Sequence, residues 1–570
     1  MSVDLKGIIS EQLSEIINLP LDRIRAILEV PPNTELGDFA LPCFTLARDL
    51  KEKPVEIARD LEERLNEQSP TNSVLSRVES KGPYLNLFLD RPSITVQILS
   101  SLYNTDFSYL SQEGKGKTVI IDFSSPNIAK PFGIGHLRST VIGNSLKRIY
   151  EFLGYNAVGI NHLGDWGTQF GKLIVAFKNW GAPEDLNTED PIQYLYRLYV
   201  RFHDEAEKDD TLEDEARRWF NLLEQGDREA VELWEEFRDI SLTEFKRVYD
   251  RLGVSFEHFT GESFYSDRLD ETLAKIEQSG ATTISDGALV VPLSDDMPPA
   301  LLRKSDGATL YLTRDLAAAL YRYDAFHFDL ALYVVGTPQT LHFQQLFSVL
   351  KALDLSWWEN CHHVPFGQIR FPDGSMSTRK GNIIFLEEVL DRAVGLALQT
   401  IREKNPDLRD PEGIAESVGV GAIIFNDLKN YRTRDISFDW NEIMNFNGET
   451  GVYLQYTHAR SCSLLAKYEK QYGAVELSGR LVIGDEGYWI ATLLNDFDEV
   501  IRRAAREFEP SIIARYLLDL ASRFNTFYNH HRVITGNPDQ SRTRALLVCA
   551  VRNVLKYGLG LLGIKAVKQM

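Results

Sequence analysis

The sequence predicts a doubly wound α/β domain built on a parallel sheet, with a smaller α/β unit before it and an all-helical region after it. Three observations carry this reading. Short apolar runs at 118–123, 157–161, 331–336 and 363–366 alternate with helical stretches, as parallel strands joined by crossovers require. The first of these runs leads through a glycine-containing turn into Thr140–Leu146, whose apolar spacing suits a helix. From about residue 441 onward helical periodicity is almost continuous, as in Pro510–Tyr528 and Arg542–Leu562.

Taken in order, residues 1–112 form the first unit. Helical spacing runs through Leu41–Leu50 and Val55–Leu65, and the strand-like Tyr84–Leu89 closes it. Gly114-Lys115-Gly116-Lys117 reads as a linker into the sheet domain, 113–440. A polar, acidic, helical insertion occupies about 183–255 of that domain, and the helical region spans 441–570.

At 570 residues the chain is too long for one core, so three or four domains are expected. Its 44% hydrophobic and 25% charged residues are ordinary for a globular protein. No basic stretch precedes an apolar run at the N-terminus, and no apolar run is long enough to span a bilayer. The four cysteines, Cys43, Cys361, Cys462 and Cys549, are isolated, which supports neither a disulfide framework nor a metal site. A cytoplasmic protein without a membrane partner is expected. The net charge of −20 by itself argues against nucleic acid, but the excess is uneven. Acids crowd the insertion, whereas Arg502, Arg503, Arg506, Arg515, Arg523 and Arg532 recur toward the C-terminus.

The turn after the first strand reads Ser124-Ser125-Pro126-Asn127-Ile128-Ala129-Lys130-Pro131-Phe132-Gly133-Ile134-Gly135-His136. A strand, a turn with two glycines and a helix start bring backbone close to a nucleotide, with Lys130 and His136 in reach of phosphate oxygens. On its own, Gly-x-Gly-His is a weak signal that reads more readily as a structural turn. Further signatures follow in order: Asn161-His162-Leu163-Gly164-Asp165-Trp166-Gly167, Thr260-Gly261-Glu262-Ser263, and Leu310-Tyr311-Leu312-Thr313-Arg314-Asp315. Gln339 and His342 come next, then Ser375-Met376-Ser377-Thr378-Arg379-Lys380-Gly381, and finally Gly451-Val452-Tyr453-Leu454-Gln455-Tyr456-Thr457-His458-Ala459-Arg460.

Together these closely resemble the arginyl-tRNA synthetases, class I aminoacyl-tRNA synthetases, over essentially the whole chain. The resemblance implies a Rossmann-type catalytic domain, an N-terminal additional domain contacting the outer corner of tRNA, and a C-terminal anticodon-binding bundle. It implies an arginine–tRNA ligase of translation that converts arginine and ATP to arginyl-adenylate and passes the arginyl group to the 3′ end of tRNA(Arg). Magnesium is expected with the ATP, with no tightly bound metal or organic cofactor, and the enzyme is expected to be a monomer.

The resemblance also implies roles. Gly133, Gly135 and His136, with Met376 and Ser377, correspond to the ATP site. Lys130, His136, Arg379 and Lys380 are the expected catalytic groups. Gly133 replaces the first histidine of the family signature, and neither family lysine is in register in the loop at 375–381; Lys130 is expected to substitute for the second of them. Ser125, Asn127, His136, Glu262, Tyr311, Asp315 and Gln339 are the expected arginine site, since a guanidinium fork is matched by carboxylates. Tyr453, Gln455, Tyr456, His458 and Arg460 are expected to contact tRNA, although Tyr453 and Tyr456 at helical spacing also read as partly core. The two departures leave an inactive tRNA-binding paralogue as one alternative, against which the set Asn127, Lys130, His136, Tyr311, Asp315 and Gln339 stands; a different adenylate-forming nucleotidyltransferase acting on a small acid is the other, against which the two RNA-facing domains stand.

Overall fold

The structure, a computed structural model, describes residues 3–67, 74–103, 105–187, 190–294, 297–370, 384–445, 448–477 and 484–570. The chain folds as two compact units, one of Met1–Phe107, Arg460–Glu499 and Asp519–Val554, the other of Ser108–Ala459, Val500–Leu518 and Leu555–Met570.

In the first unit, strands β1 (Phe39–Pro42), β2 (Leu75–Lys81) and β3 (Tyr84–Leu89) form an antiparallel sheet of order β1-β3-β2. The helix Pro54–Glu67 buries Ile57, Ala58 and Leu61, the apolar stripe that its sequence spacing predicts. The expected helix over Leu41–Leu50 is corrected: β1 runs to Pro42, a 3-10 turn follows at Cys43–Thr45, and only Ala47–Leu50 is α-helical. Pairing decides it, because Leu41 lies opposite Leu85 and is fully buried on the sheet. Proline at 42 then ends the strand by offering no N–H. Arg91 bridges the buried Asp38 (3.3 Å) and Asp485 (2.9 Å), and the Tyr488 hydroxyl donates to Asp38.

The second unit is organised around a parallel sheet made of β4 (Thr118–Asp122), β5 (Asn156–Asn161), β6 (His258–Phe259), β10 (Leu330–Tyr333) and β11 (Cys361–His363). Their order is β11-β10-β4-β5-β6, and every neighbouring pair is parallel. Ile120, Ile160, Ala331 and Tyr333 are buried with Leu316, Leu346 and Val349 of flanking helices, the two-sided burial that makes such strands read as continuous apolar runs. The fourth expected strand lies slightly earlier than 363–366, at Cys361–His363. The helices Pro191–Ala206, Thr211–Glu224 and Arg228–Leu252 lie between β5 and β6, and Asp190 and Asp227 cap the first and third through side-chain oxygens. Sequence reading had missed a small antiparallel sheet of β7 (Thr283–Ser285), β8 (Ala288–Val291) and β9 (Ala300–Arg303). A short parallel pair, β12 (Ile369–Arg370) with β13 (Ile436–Ser437), completes the strands among the described residues. Among those residues no helix is long and apolar enough to cross a membrane.

Candidate active site

The carboxyl end of β4 is held in an unusual backbone conformation. Ser124, Ser125 and Ala129 all have positive φ (72°, 48° and 58°), a region that side-chain-bearing residues rarely enter. Hydrogen bonds from every side hold it. Ser124 N donates to Ser139 Oγ (2.8 Å), its hydroxyl meets the Tyr249 hydroxyl (2.8 Å), and Ala129 N donates to Ser241 Oγ (2.8 Å). Ser125 Oγ donates to Asp122, whose other oxygen is paired with the buried Arg322 at 2.8 Å. Asn127 forms a parallel bridge with Gly164, where a Cβ would stand 1.8 Å from Asn127 Oδ1, so a side chain there would displace the Asn127 amide.

Beyond this turn, Gly133 has extended φ −80° and ψ 161°, and a 3-10 turn Ile134–His136 opens the helix Leu137–Phe152. Backbone bonds join this loop to a distant segment: Ile134 N donates to Ile384 O and Leu386 N to Phe132 O. Burial, opposed by the Gly133 carbonyl and reinforced by the Lys130 cation, lowers the His136 imidazole to about 4. His136 is therefore neutral near pH 7, and its Nδ1 is buried without a hydrogen-bond partner. Lys130 Nζ lies 3.3 Å from Gln169 Oε1 and 4.9 Å from the centre of the Tyr199 ring.

A cavity of about 350 Å³ opens beside these residues. Ser125, Asn127, Glu262, Tyr311, Asp315 and Gln339 all line it, so six of the seven residues expected at the arginine site converge, His136 being the exception. They arrive from separate elements: the β4 turn, the 3-10 turn Glu262–Arg268, the helix Tyr311–Phe326 and the 3-10 turn Thr337–Gln339. Asp315 Oδ2 is 2.6 Å from His342 Nε2, and Asp315 Oδ1 is 3.7 Å from His162 Nε2. Glu262 has one buried carboxyl oxygen with no hydrogen-bond partner. Its burial, opposed by Arg314 and reinforced by Asp315 and Asp165, pushes it up to about 8. Asp165, also raised by burial, braces this turn by accepting from the Ser263 amide (2.8 Å) and hydroxyl (2.7 Å). The cavity thus offers two carboxyl groups to a cation, and amide and hydroxyl groups to the opposite end of a small molecule.

The family model for the catalytic domain of class I tRNA synthetases (R) matches residues 97–440, that for the DALR anticodon binding domain 454–570, and that for the arginyl tRNA synthetase N terminal domain 4–89. The chain is 46% identical over 571 residues to an arginine–tRNA ligase of Clostridium perfringens and 48% identical over 573 residues to one of Bacillus cereus, each alignment covering 100% of both chains. The chain belongs to the arginyl-tRNA synthetase family. Its fold is similar to the Thermus thermophilus arginyl-tRNA synthetase, with a TM-score of 0.79 at 27% identity and 99% of each chain covered.

Other residues expected to act in an arginyl-tRNA synthetase are placed less uniformly. Met376, Ser377, Arg379 and Lys380 lie outside the described residues. Tyr453, Gln455, Tyr456, His458 and Arg460 share the helix Gly451–Tyr472. Tyr456 is exposed and Tyr453 half-buried, and Arg460 donates to Asn525 (2.5 Å). Gln455 and His458 are buried: Gln455 donates to the Ser417 and Lys565 carbonyls (both 2.9 Å), and His458 Nδ1 meets the Val567 carbonyl at 2.8 Å. For these two, direct RNA contact is corrected to bracing of the C-terminal segment, since a side chain spent on buried backbone carbonyls offers no surface. Sequence reading missed Asp122, His162, Arg314 and His342 as cavity residues. The spacing of Gln339 and His342, three apart at a helix start, is the signal that could have revealed the last.

Proposed function

We infer that the chain is an arginine–tRNA ligase, which activates arginine with ATP and transfers the arginyl group to the 3′ end of tRNA(Arg). Full-length similarity to arginine–tRNA ligases supports this, and the observation that carries the substrate is the cavity lined by Asp315 and Glu262. Activation joins an arginine carboxylate oxygen to the α-phosphorus of ATP as the bond to the β-phosphate oxygen breaks and pyrophosphate leaves. Transfer joins a terminal ribose hydroxyl oxygen to the arginyl carbonyl, with AMP as leaving group and loss of the hydroxyl proton. Neither step needs a side-chain nucleophile, so the protein acts through placement and charge.

In this reading Asp315 and Glu262 hold the guanidinium, Tyr311 walls it, and Ser125, Asn127 and Gln339 take the α-amino and carboxylate end. Gly133 and Gly135 let the nucleotide lie against backbone, with Met376 and Ser377 beside it. Neutral His136 donates to phosphate, and Lys130, with Arg379 and Lys380, meets the charge that develops there. Magnesium accompanies the triphosphate and takes its ligands from phosphate oxygens and water. Among the described residues no group of three His, Cys, Asp or Glu side chains is placed to hold a metal independently. Residues 1–112 contact the tRNA outer corner, 113–440 carry catalysis and 441–570 read the anticodon, with Tyr453, Tyr456 and Arg460 as RNA contacts. The protein works as a cytoplasmic monomer. Charging of total tRNA with each radiolabelled amino acid tests the assignment: arginine alone should be incorporated, and incorporation of a different amino acid, or of none, refutes it.

A further inference from the structure

Three elements of the second unit deliver titratable side chains to one point. His162 is the first residue after β5, Asp315 lies in the first turns of the helix Tyr311–Phe326, and His342 lies in the first turn of Thr340–Ala352. His342 Nε2 is 2.6 Å from Asp315 Oδ2, and His162 Nε2 is 3.7 Å from Asp315 Oδ1. All three line the cavity with Glu262 and Arg314.

The partners determine where the ring hydrogens sit. An ionised carboxylate only accepts, so His342 Nε2 carries the hydrogen in its bond to Asp315. His162 Nδ1 lies 3.1 Å from the Thr260 carbonyl, which also only accepts, so in the neutral ring Nδ1 carries the hydrogen and Nε2 presents a lone pair. That lone pair and Asp315 Oδ1, two acceptors, then face each other 3.7 Å apart. The arrangement is satisfied when a donor enters beside both, and a planar guanidinium with N–H groups in fixed directions is such a donor.

We propose that His162 and His342 complete the guanidinium selector around Asp315, His342 orienting the carboxylate through its N–H and His162 accepting a guanidinium N–H beside it. The inference rests on the arginine reading of this cavity. His342 acts through Asp315 and is a positioning residue, whereas His162 touches the substrate.

The test uses the full-length protein, arginine, and the amidine analogue in which a methyl group replaces one terminal amino group of the guanidinium. The analogue keeps the charge and lacks the hydrogens of one nitrogen. Wild type should favour arginine in kcat/KM by about tenfold to a hundredfold, the range of a hydrogen bond to a charged group. In His162→Leu the two substrates should come within about threefold, because the methyl group then meets an apolar neighbour. His162→Gln, which restores an acceptor, should recover the preference. His342→Leu should raise KM for arginine about tenfold while KM for ATP and the thermal midpoint hold, and His342→Gln should reverse much of the rise. An unchanged preference in His162→Leu, or a parallel rise in KM for ATP with no recovery in His342→Gln, overturns the proposal. Failure of wild type to charge tRNA with arginine would instead defeat the assignment on which it rests.

Discussion

Arginine binding at Glu262 should release a proton. In the empty cavity, burial first, and then Asp315 and Asp165, raise its carboxyl to about 8 against the opposition of Arg314. At pH 7 a group with that value keeps its proton in about nine-tenths of molecules, and removing it costs about 1.4 kcal/mol. An arriving guanidinium favours the carboxylate, so the value in the complex lies below that of the empty site. The sign follows: below about 8 binding expels a proton, and affinity weakens as the pH falls. Above that value Glu262 is already ionised and its contribution is flat. Between pH 7 and the plateau, arginine affinity should rise about tenfold from this group. Calorimetric titration with arginine at pH 7, in two buffers of different ionisation enthalpy, measures the proton directly. Wild type should release close to one proton and Glu262→Gln none. Equal release from both proteins, or no release from wild type, would refute the reasoning.

Three further outcomes follow from the same geometry. Asp315→Asn keeps shape but leaves a desolvated cation unmatched, which typically costs roughly 3–5 kcal/mol, so kcat/KM for arginine should fall by a hundredfold or more while tRNA binding is unchanged; a filter-binding assay separates the two. Lys130→Ala should depress turnover far more than ATP affinity, since the charge it meets develops in the transition state, and a raised KM for ATP at unchanged turnover would contradict that role. Gly133→His should give at most a modest gain in steady-state aminoacylation, because φ −80° does not require glycine and His136 and Lys130 stand nearby, while burial of Gly133 sets a cost on the added ring. A gain on the order of a hundredfold, the scale of one transition-state donor, would mean that Gly133 marks a decayed site.

Four of the five strands of the parallel sheet were legible because burial on both faces leaves an unbroken apolar run, as at Thr118–Asp122, whereas the two-residue edge strand β6 leaves none. Six of the cavity residues were legible because each stands at a strand end or helix start with a recognisable neighbourhood, Asp315 after Tyr311 for example. Leu41–Leu50 misled because apolar spacing at 41, 46 and 50 fits a helix, while the pairing of Leu41 with Leu85 is a non-local fact. Gln455 and His458 misled for a related reason. Helical periodicity does not say which polar side chain will find the Ser417, Lys565 or Val567 carbonyl. The tautomers of His162 and His342 depend on Thr260 and Asp315, partners that lie far away in the sequence.

The strand order has a consequence for synthesis on the ribosome. β4 is flanked by β5 on one side and by β10 on the other, and β10 is made about 210 residues later, on the order of 10–40 s at ordinary elongation rates. Throughout that interval one edge of the central strand has no native neighbour, and its Val119, Ile120 and Ile121, all buried in the finished protein, lack their final cover. Nascent chains that end before Leu330 should therefore bind chaperones and resist only weakly a protease that the completed chain withstands. Release of that chaperone load, followed along a series of stalled chains, should come when β10 clears the exit tunnel and not when β5 does.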